Sequence, residues 1–180
     1  MSGIPPHERR TGLLIPVPAD DLVADFRRRF NAATVARNLP PHITVIFPFA
    51  RVPAVDDGLR ADLVAHFTTF EPFEAELTRV GSFPGYVWLA PTPRERFVEL
   101  ITATCERYPA FPPYEGEGGE PEPHLTIAAI AAADDADPIV ELAHAELAAL
   151  LPFRFTVSSL SLFEEQEDGT FLESTRFGLG

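Results

Sequence analysis

The sequence predicts an α+β fold in which two similar lobes, built from mainly antiparallel sheets, face each other across a central cleft. Three observations support this prediction. Strand-like and helix-like segments alternate along the chain, several neighbouring strands are joined by tight turns, and one five-residue pattern occurs twice. With 180 residues, of which 46% are hydrophobic, the chain is long enough for one packed core. We therefore expect residues 1–180 to form a single bilobal domain.

The first half of the chain is expected to contain two strands, two helices and a hairpin. The apolar run from Thr11 to Val17 is typical of a buried strand. The β-branched stretch from His42 to Phe47 predicts a second strand. Apolar residues recur at helical spacing around Phe26 and again around Leu63. The segment from Gly81 to Gly85 predicts the turn of an antiparallel hairpin.

The second half repeats these signals. The segment Thr92-Pro93-Arg94-Glu95 has the form of a capping box and predicts the start of a helix. Residues 109–123 are rich in Pro, Gly and Glu and are expected to form an exposed loop. His124 to Ile130 predicts a strand, and Asp137-Pro138 predicts another helix start. Asp168-Gly169 predicts a turn before the last strand.

The repeated pattern carries the candidate catalytic residues. Pro41-His42-Ile43-Thr44-Val45 and Pro123-His124-Leu125-Thr126-Ile127 both read Pro-His-aliphatic-Thr-aliphatic. In a strand, residues i and i+2 project to the same face, so each His shares a face with its Thr while the aliphatic residues point into the core. Two such strands side by side bring two imidazoles and two hydroxyls into one cleft. The candidate catalytic residues are therefore His42, Thr44, His124 and Thr126.

These side chains suit displacement at phosphorus without a metal. An in-line displacement needs a base where the nucleophile enters and an acid where the leaving oxygen departs. Imidazole titrates near pH ~6.5, so one histidine can be neutral while the other is protonated, and threonine hydroxyls can donate to nonbridging oxygens. The pattern leaves open which histidine is the base. No Asp or Glu cluster near the motifs completes a recognisable metal set, so we expect neither a metal nor a cofactor.

Charge restricts the partners that the protein can bind. The net charge is -13, and all 14 basic residues are arginines. Because long nucleic acids are attracted by clustered positive charge, and the sequence shows no such cluster, an RNA substrate would be held at its 3′ end or as a small fragment. No apolar run approaches the ~20 residues that cross a bilayer. We expect a cytoplasmic monomer that does not bind membranes.

The paired His-x-Thr motifs, the strand–helix order around them, Phe47 after the first motif and the chain length resemble the 2H phosphoesterase superfamily. The resemblance spans essentially the whole chain and is strongest to the bacterial 2′-5′ RNA ligase-like or cyclic phosphodiesterase branch. It implies a bilobal fold with both motifs lining a central cleft. It also implies hydrolysis of 2′,3′-cyclic phosphate RNA ends, or of a related cyclic nucleotide, to a 2′-phosphomonoester.

The chain departs from that family at one position. Many members carry an arginine shortly after the second motif, whereas this chain continues into Ala128-Ala129-Ile130. Either another arginine takes that role or the preferred substrate differs. Arg51, just beyond the first motif, is a candidate phosphate contact, and Phe47 and Phe83 are candidate substrate contacts because an aromatic face can stack on a nucleobase. The alternatives are a solvated charge for Arg51 and core packing for the two rings.

Two other functions stay open from the sequence. One is 2′-5′ RNA ligase activity through the reverse reaction, and the other is a noncatalytic nucleotide-binding module that uses the same cleft. The intact His and Thr of both motifs favour catalysis, and the abundance of water favours hydrolysis over joining. The other histidines, His7, His66 and His144, lie outside any such motif and are interpreted as structural or solvent-exposed.

Overall fold

A computed structural model of the chain describes residues 3–112, 121–131 and 136–180. The strands and helices that the sequence predicts occur in the predicted order, and the structure adds a short helix at Ala32–Ala36 and a strand at Ser159–Glu165. The strands are β1 (Thr11–Pro16), β2 (His42–Ile46), β3 (Phe73–Phe83), β4 (Tyr86–Thr92), β5 (Leu125–Ala129), β6 (Phe153–Val157), β7 (Ser159–Glu165) and β8 (Phe171–Gly178). The helices are α1 (Asp20–Phe30), α2 (Ala32–Ala36), α3 (Asp57–Phe67), α4 (Arg94–Arg107) and α5 (Asp137–Leu147), with short 3-10 turns at Val52–Ala54 and Ala148–Leu150.

The eight strands form one sheet in the order β6-β3-β4-β5-β2-β1-β7-β8. Each pairing in this sheet is antiparallel. The sheet divides into two four-stranded halves, and the two motif strands, β5 and β2, lie at the inner edge of each half. The predicted α+β class with two similar, mainly antiparallel lobes is confirmed. The halves are joined in one continuous ladder because Ile43 of β2 pairs with Leu125 of β5.

Each half contains a strand, a helix and a motif strand in chain order: β1, α1 and β2 in one, β4, α4 and β5 in the other. The helices pack across the junction, since α1 contacts β5 and α4 contacts β2. One hydrophobic core includes residues of both halves, among them Phe26 of α1 and Phe97 of α4. Each motif strand is therefore held from behind by the helix of the other half.

The two motif strands alternate as the sequence predicts. Ile43 and Val45 are buried, while the alternating residues His42 and Thr44 are partly exposed on the other face. Leu125 and Ile127 are buried in the same way around Thr126. Burying an aliphatic side chain of this size contributes about 1.5–3 kcal/mol, so a slip of either strand by one residue would lose its core contacts and turn its histidine inward.

The predicted capping box at Thr92 is wrong. Thr92 is the last residue of β4 and pairs with Glu76 of β3, and its hydroxyl lies 3.3 Å from that of Thr78. Pro93 is the residue that precedes the helix, and no side chain caps it. Because Thr92 belongs to β4, its side chain does not cap α4, and the helix begins without the capping hydrogen bond that the sequence predicts.

The hairpin turn is also tighter than predicted. Phe83 is the last residue of β3 and pairs with Tyr86 of β4. Only Pro84 and Gly85 remain in the turn, and Gly85 has a φ of 87°. Two-residue hairpin turns need a positive φ, which glycine adopts without steric cost. Phe83 therefore has a fixed orientation on a strand rather than a position in a loose loop.

Residues 113–120, most of the predicted loop at 109–123, lie outside the described residues. Its predicted exposure therefore stays a prediction. Among the residues that are described, no helix is both long and apolar enough to cross a membrane.

Candidate active site

A cavity of about 680 Å³ lies at the junction of the two halves, and both motifs line it. Because β2 and β5 are antiparallel with Ile43 opposite Leu125, the neighbouring positions place His42 opposite Thr126 and Thr44 opposite His124. Each imidazole thus stands across from the hydroxyl of the other motif. The structure brings the four candidate catalytic residues, His42, Thr44, His124 and Thr126, into one cavity.

Both histidines are oriented by the same kind of hydrogen bond. The Nδ1 atom of His42 lies 2.7 Å from the carbonyl oxygen of Pro40, and that of His124 lies 2.7 Å from the carbonyl oxygen of Glu122. A carbonyl oxygen can only accept, so Nδ1 carries the hydrogen in each ring. The neutral ring then has its lone pair on Nε2, which makes Nε2 the atom that can take or give a proton at a substrate.

The two rings differ in their electrostatic surroundings. The pKa of His42 is lowered from 6.5 to about 4, chiefly by burial, with smaller contributions from the nearby charges of Arg27 and His124 and against the opposing effect of the Pro40 carbonyl. Burial also lowers the pKa of His124, but here the Glu122 carbonyl and the Glu122 carboxylate both oppose the shift. His42 is thus biased toward the neutral form, and His124 has a neighbouring carboxylate that favours its protonated form.

A polar group of lining residues comes from α1, α2 and the residues that flank α2. It consists of Arg27, Asn31, Thr34 and Arg37. Arg27 is 4% exposed, whereas Arg37 is exposed. These residues were not predicted from the sequence, although Arg27, Asn31 and Thr34 follow one another at intervals of four and three residues, the spacing of one helical face.

Aromatic rings form another part of the lining. Phe83 and Phe47 both line the cavity. The Phe83 ring meets the His124 ring edge to face with centroids 5.0 Å apart and packs on Trp88 at 5.1 Å. Phe47 lies edge-on to Phe171 at 5.9 Å. Gly12 makes room for Phe47, since a Cβ atom at Gly12 would come within 2.8 Å of that ring.

Arg51 does not reach the cavity. The strand β2 runs away from His42, which pairs with Pro16, toward Ile46, which pairs with Leu13. Arg51 continues in that direction and forms an isolated bridge with Arg10. Its side chain is exposed and donates to the backbone carbonyl of Glu8. Arg51 was predicted to contact phosphate because it is close to the first motif in sequence. The chain has left the cavity by residue 51, so the structure does not place Arg51 at the site.

The remaining histidines lie outside the cavity that the motifs line. His66 of α3 is 3.1 Å from the Thr104 hydroxyl and packs among aromatic rings. His7 and His144 are exposed. Within residues 3–112, 121–131 and 136–180, no group of three His, Cys, Asp or Glu side chains is arranged to hold a metal ion.

The sequence matches the family model of the 2′-5′ RNA ligase superfamily over residues 15–169. The chain belongs to this superfamily. Its fold is accordingly that of the 2H phosphoesterases, and its activity class is that of the phosphodiesterases and RNA ligases that share this fold. No curated protein sequence matches the chain significantly.

Solved structures of this superfamily share the fold at low sequence identity. Escherichia coli LigT in complex with 3′-AMP has a TM-score of 0.62 and 15% identity, covering 95% of this chain and 98% of LigT. A phosphoesterase has a TM-score of 0.64 and 16% identity, covering 95% of this chain and 98% of its own. Kluyveromyces marxianus Usb1 with uridine monophosphate has a TM-score of 0.56 and 13% identity, covering 94% of this chain and 99% of Usb1.

Proposed function

We propose that this 2H phosphoesterase is a metal-independent cyclic phosphodiesterase that hydrolyses 2′,3′-cyclic phosphate RNA ends, or a related cyclic nucleotide, to a 2′-phosphomonoester. The observation that carries the proposal is the pair of imidazoles in one cavity, each with Nδ1 donating to a backbone carbonyl. This arrangement presents two Nε2 atoms for proton transfer. A protein that only bound nucleotides would have no need for a matched pair of this kind.

In the proposed mechanism, His42 is the base and His124 is the acid. A water oxygen attacks phosphorus while Nε2 of His42 takes its proton. The bond between phosphorus and O3′ breaks, and Nε2 of His124 gives its proton to O3′. The product has a 2′-phosphate and a free 3′-hydroxyl, and one proton has moved from His124 to His42. The assignment rests on the lower pKa of the more deeply buried His42 and on Glu122 beside His124.

The threonines are proposed to hold the nonbridging oxygens. Because Thr126 stands opposite His42 and Thr44 opposite His124, a phosphate between the two rings would lie within reach of both hydroxyls. Hydroxyl donors placed where negative charge grows stabilise the transition state more than the ground state. Each threonine is therefore assigned to the phosphate rather than to a histidine.

Arg37 is proposed to supply the positive charge that binds the phosphate, because Ala129 stands near the place where many members of the superfamily carry an arginine. Ala129 lines the cavity and is exposed, and it follows the second motif where many members of the superfamily carry an arginine. Arg37 lines the same cavity. A guanidinium group there can meet a phosphate oxygen with paired donors.

The nucleobase is proposed to stack beside the motifs. Phe83, Tyr86 and Phe47 line the cavity, and Tyr86 is 47% exposed. Base–aromatic stacking contributes about 1–3 kcal/mol. The small nucleotides bound to LigT and Usb1 are consistent with a substrate of this size. No long nucleic acid is proposed as a partner, because the net charge is -13.

Joining RNA ends through a 2′-5′ linkage is the second candidate, because the superfamily takes its name from that activity. It uses the same catalytic pair in the same roles, with a 5′-hydroxyl in place of water as the nucleophile that attacks phosphorus while the bond to O3′ breaks. Water is present at far higher concentration, so hydrolysis is the primary proposal. An assay that contains both a cyclic phosphate end and a 5′-hydroxyl RNA separates the two products.

A phosphorus NMR assay tests the proposal. The substrates are the four 2′,3′-cyclic nucleotides, an RNA oligonucleotide with a 2′,3′-cyclic phosphate end, and ADP-ribose 1″,2″-cyclic phosphate. We expect conversion of at least one 2′,3′-cyclic substrate to the 2′-phosphate, and no conversion by the His42→Ala/His124→Ala variant prepared in parallel. A 3′-phosphate product, equal turnover by the double variant, or no turnover by the parent protein would contradict the proposal.

A further inference from the structure

An arginine from α1 holds the backbone immediately before His42. Nη2 of Arg27 lies 2.8 Å from the carbonyl oxygen of Leu39 and 3.3 Å from that of Pro40. The Pro40 carbonyl is the one that accepts the Nδ1 hydrogen of His42. Arg27 therefore contacts the same oxygen that orients the imidazole.

The second motif has a matching arginine in the other half. Nη2 of Arg94, the first residue of α4, lies 3.1 Å from the carbonyl oxygen of Pro121. Its Nε lies 3.2 Å from the carboxylate of Glu122. Pro121 and Leu39 each lie three residues before the histidine of their motif. In each half, an arginine from the helix between the two strands contacts the carbonyl three residues before the histidine, although Arg27 lies in the second half of α1 and Arg94 begins α4.

The two arginines differ in charge balance. The carboxylate of Glu122 forms an ion pair with Arg94. In the described part of the chain, no carboxylate forms an ion pair with Arg27, which is 4% exposed and whose Nε is buried without a hydrogen-bond partner. Asp20 on the same helix acts on Arg27 only through a weaker Coulombic effect. A buried guanidinium with carbonyl partners alone is costly, and such groups cluster at functional sites.

We propose that Arg27 is a positioning residue that fixes the Pro40 carbonyl to orient the His42 ring and, as a buried cation with no carboxylate partner among the described residues, adds to the effect of burial in favouring the neutral ring, so that His42 acts as the base. The proposal rests on the proposed function for its catalytic consequence, but its structural part does not depend on substrate. Glu122 has the opposite effect on His124. Among the described residues, Arg94 has a carboxylate ion-pair partner and Arg27 has none, and this difference distinguishes the roles of the two motifs.

The charged and titratable groups around His42 come from several elements. Arg27 of α1 is beside it, Arg37 after α2 lines the same cavity, and His124 with Glu122 faces it from the second motif. Only Glu122 among these four carries negative charge, and its carboxylate forms an ion pair with Arg94. Removing the charge of Arg27 should therefore make His42 easier to protonate, as a like charge within a few ångströms disfavours the charged form.

Nitrogen NMR of the imidazoles tests the structural part without substrate. His42 is assigned by comparison with the His42→Gln variant. In the parent protein, we expect His42 to carry its hydrogen on Nδ1 and to titrate at lower pH than His124. In Arg27→Met, the titration midpoint of His42 should rise by about one unit, and the Nδ1 tautomer should lose population. Arg27→Lys should keep the low midpoint because it keeps the charge, and Arg28→Met, on the exposed side of the same helix, should match the parent.

Kinetics test the catalytic part. In Arg27→Met, the acidic limb of kcat/KM against pH should move in the same direction as the His42 midpoint, and Arg27→Lys should restore it. A folded Arg27→Met protein with an unchanged midpoint, tautomer and pH profile would overturn the proposal, even if its turnover fell. If Arg27→Met does not fold, the NMR titration of the parent protein tests the proposal. A titration midpoint of His42 above that of His124 would overturn it. An inactive parent protein with the expected NMR values would instead reject the proposed function and leave the structural part standing.

Discussion

Ile43 and Leu125 pair with each other where the two halves of the sheet meet. Both side chains are fully buried, so their pairing fixes which residues face the cavity on either side. It sets His42 across from Thr126 and Thr44 across from His124. The geometry of the candidate active site therefore depends on one antiparallel contact between two aliphatic residues.

The first prediction concerns the two histidines. His42→Ala and His124→Ala should each lower kcat by about 10²-fold or more, because general acid–base catalysis contributes about 10²–10⁴. The double variant should lose less than the product of the single losses, because the two residues act in one unit. Steady-state kinetics on the best cyclic phosphate measures these effects. His144→Ala, at an exposed helical position, is the matched control, and near-normal turnover of either folded motif variant would reject the acid–base pair.

The second prediction concerns pH. In the free enzyme, His42 must be neutral, which requires a pH above its pKa of about 4. His124 must be protonated, which requires a pH below a pKa that burial lowers from 6.5. Both limits place the maximum of kcat/KM on the acidic side of pH 6.5. A bound phosphate anion favours both imidazolium forms, so the kcat profile should lie at higher pH than the kcat/KM profile. A kcat/KM maximum above pH 7 would contradict this assignment.

Replacing Glu122 gives a third prediction. The Glu122 carboxylate raises the pKa of His124, so Glu122→Gln should lower it and move the basic limb of kcat/KM to lower pH. The acidic limb, set by His42, should move much less. Glu95→Gln provides a control on α4, where the side chain is exposed outside the cavity. Equal movement of both limbs, or of neither, would show that Glu122 does not distinguish the two histidines.

A fourth prediction compares two arginines. Arg37→Ala should raise KM for a cyclic nucleotide by about tenfold, since a charge-assisted hydrogen bond contributes about 1.5–3 kcal/mol and 1.4 kcal/mol is tenfold. Arg51→Ala should leave kcat and KM unchanged, because the structure places Arg51 outside the cavity. The reverse result, with Arg51 affecting KM and Arg37 not, would restore the sequence-based assignment.

The fifth prediction concerns metal. Turnover should survive exhaustive treatment with EDTA, because the proposed base, acid and oxygen donors are all side chains that line the cavity. The measurement is kcat before and after chelation, with added magnesium, manganese and zinc tested separately. Loss of activity on chelation that one of these ions restores would reject the metal-independent mechanism.

The sequence by itself determined the local features of the site. Strand periodicity of two residues puts each His and its Thr on one face, and the burial of Ile43, Val45, Leu125 and Ile127 confirms that alternation. The same local rules predicted the helices and the hairpin. They failed at Thr92 because this residue pairs with Glu76 of the neighbouring strand and is therefore part of β4. Local sequence preferences cannot predict whether Thr92 pairs in a strand or caps the helix, because the strand pairing depends on a partner outside the local segment.

Only the tertiary structure decided which charges surround the motifs. Arg51 is nine residues from His42 in sequence, yet strand β2 carries the chain away from the cavity. Arg27 is farther away in sequence but contacts the carbonyl that orients His42. The pKa of His42 depends on burial and on that neighbouring charge, and both arise from long-range packing. The sequence therefore determined that two histidines share a face with two threonines, whereas the packing of α1 and α4 against the motif strands decided how the two rings differ.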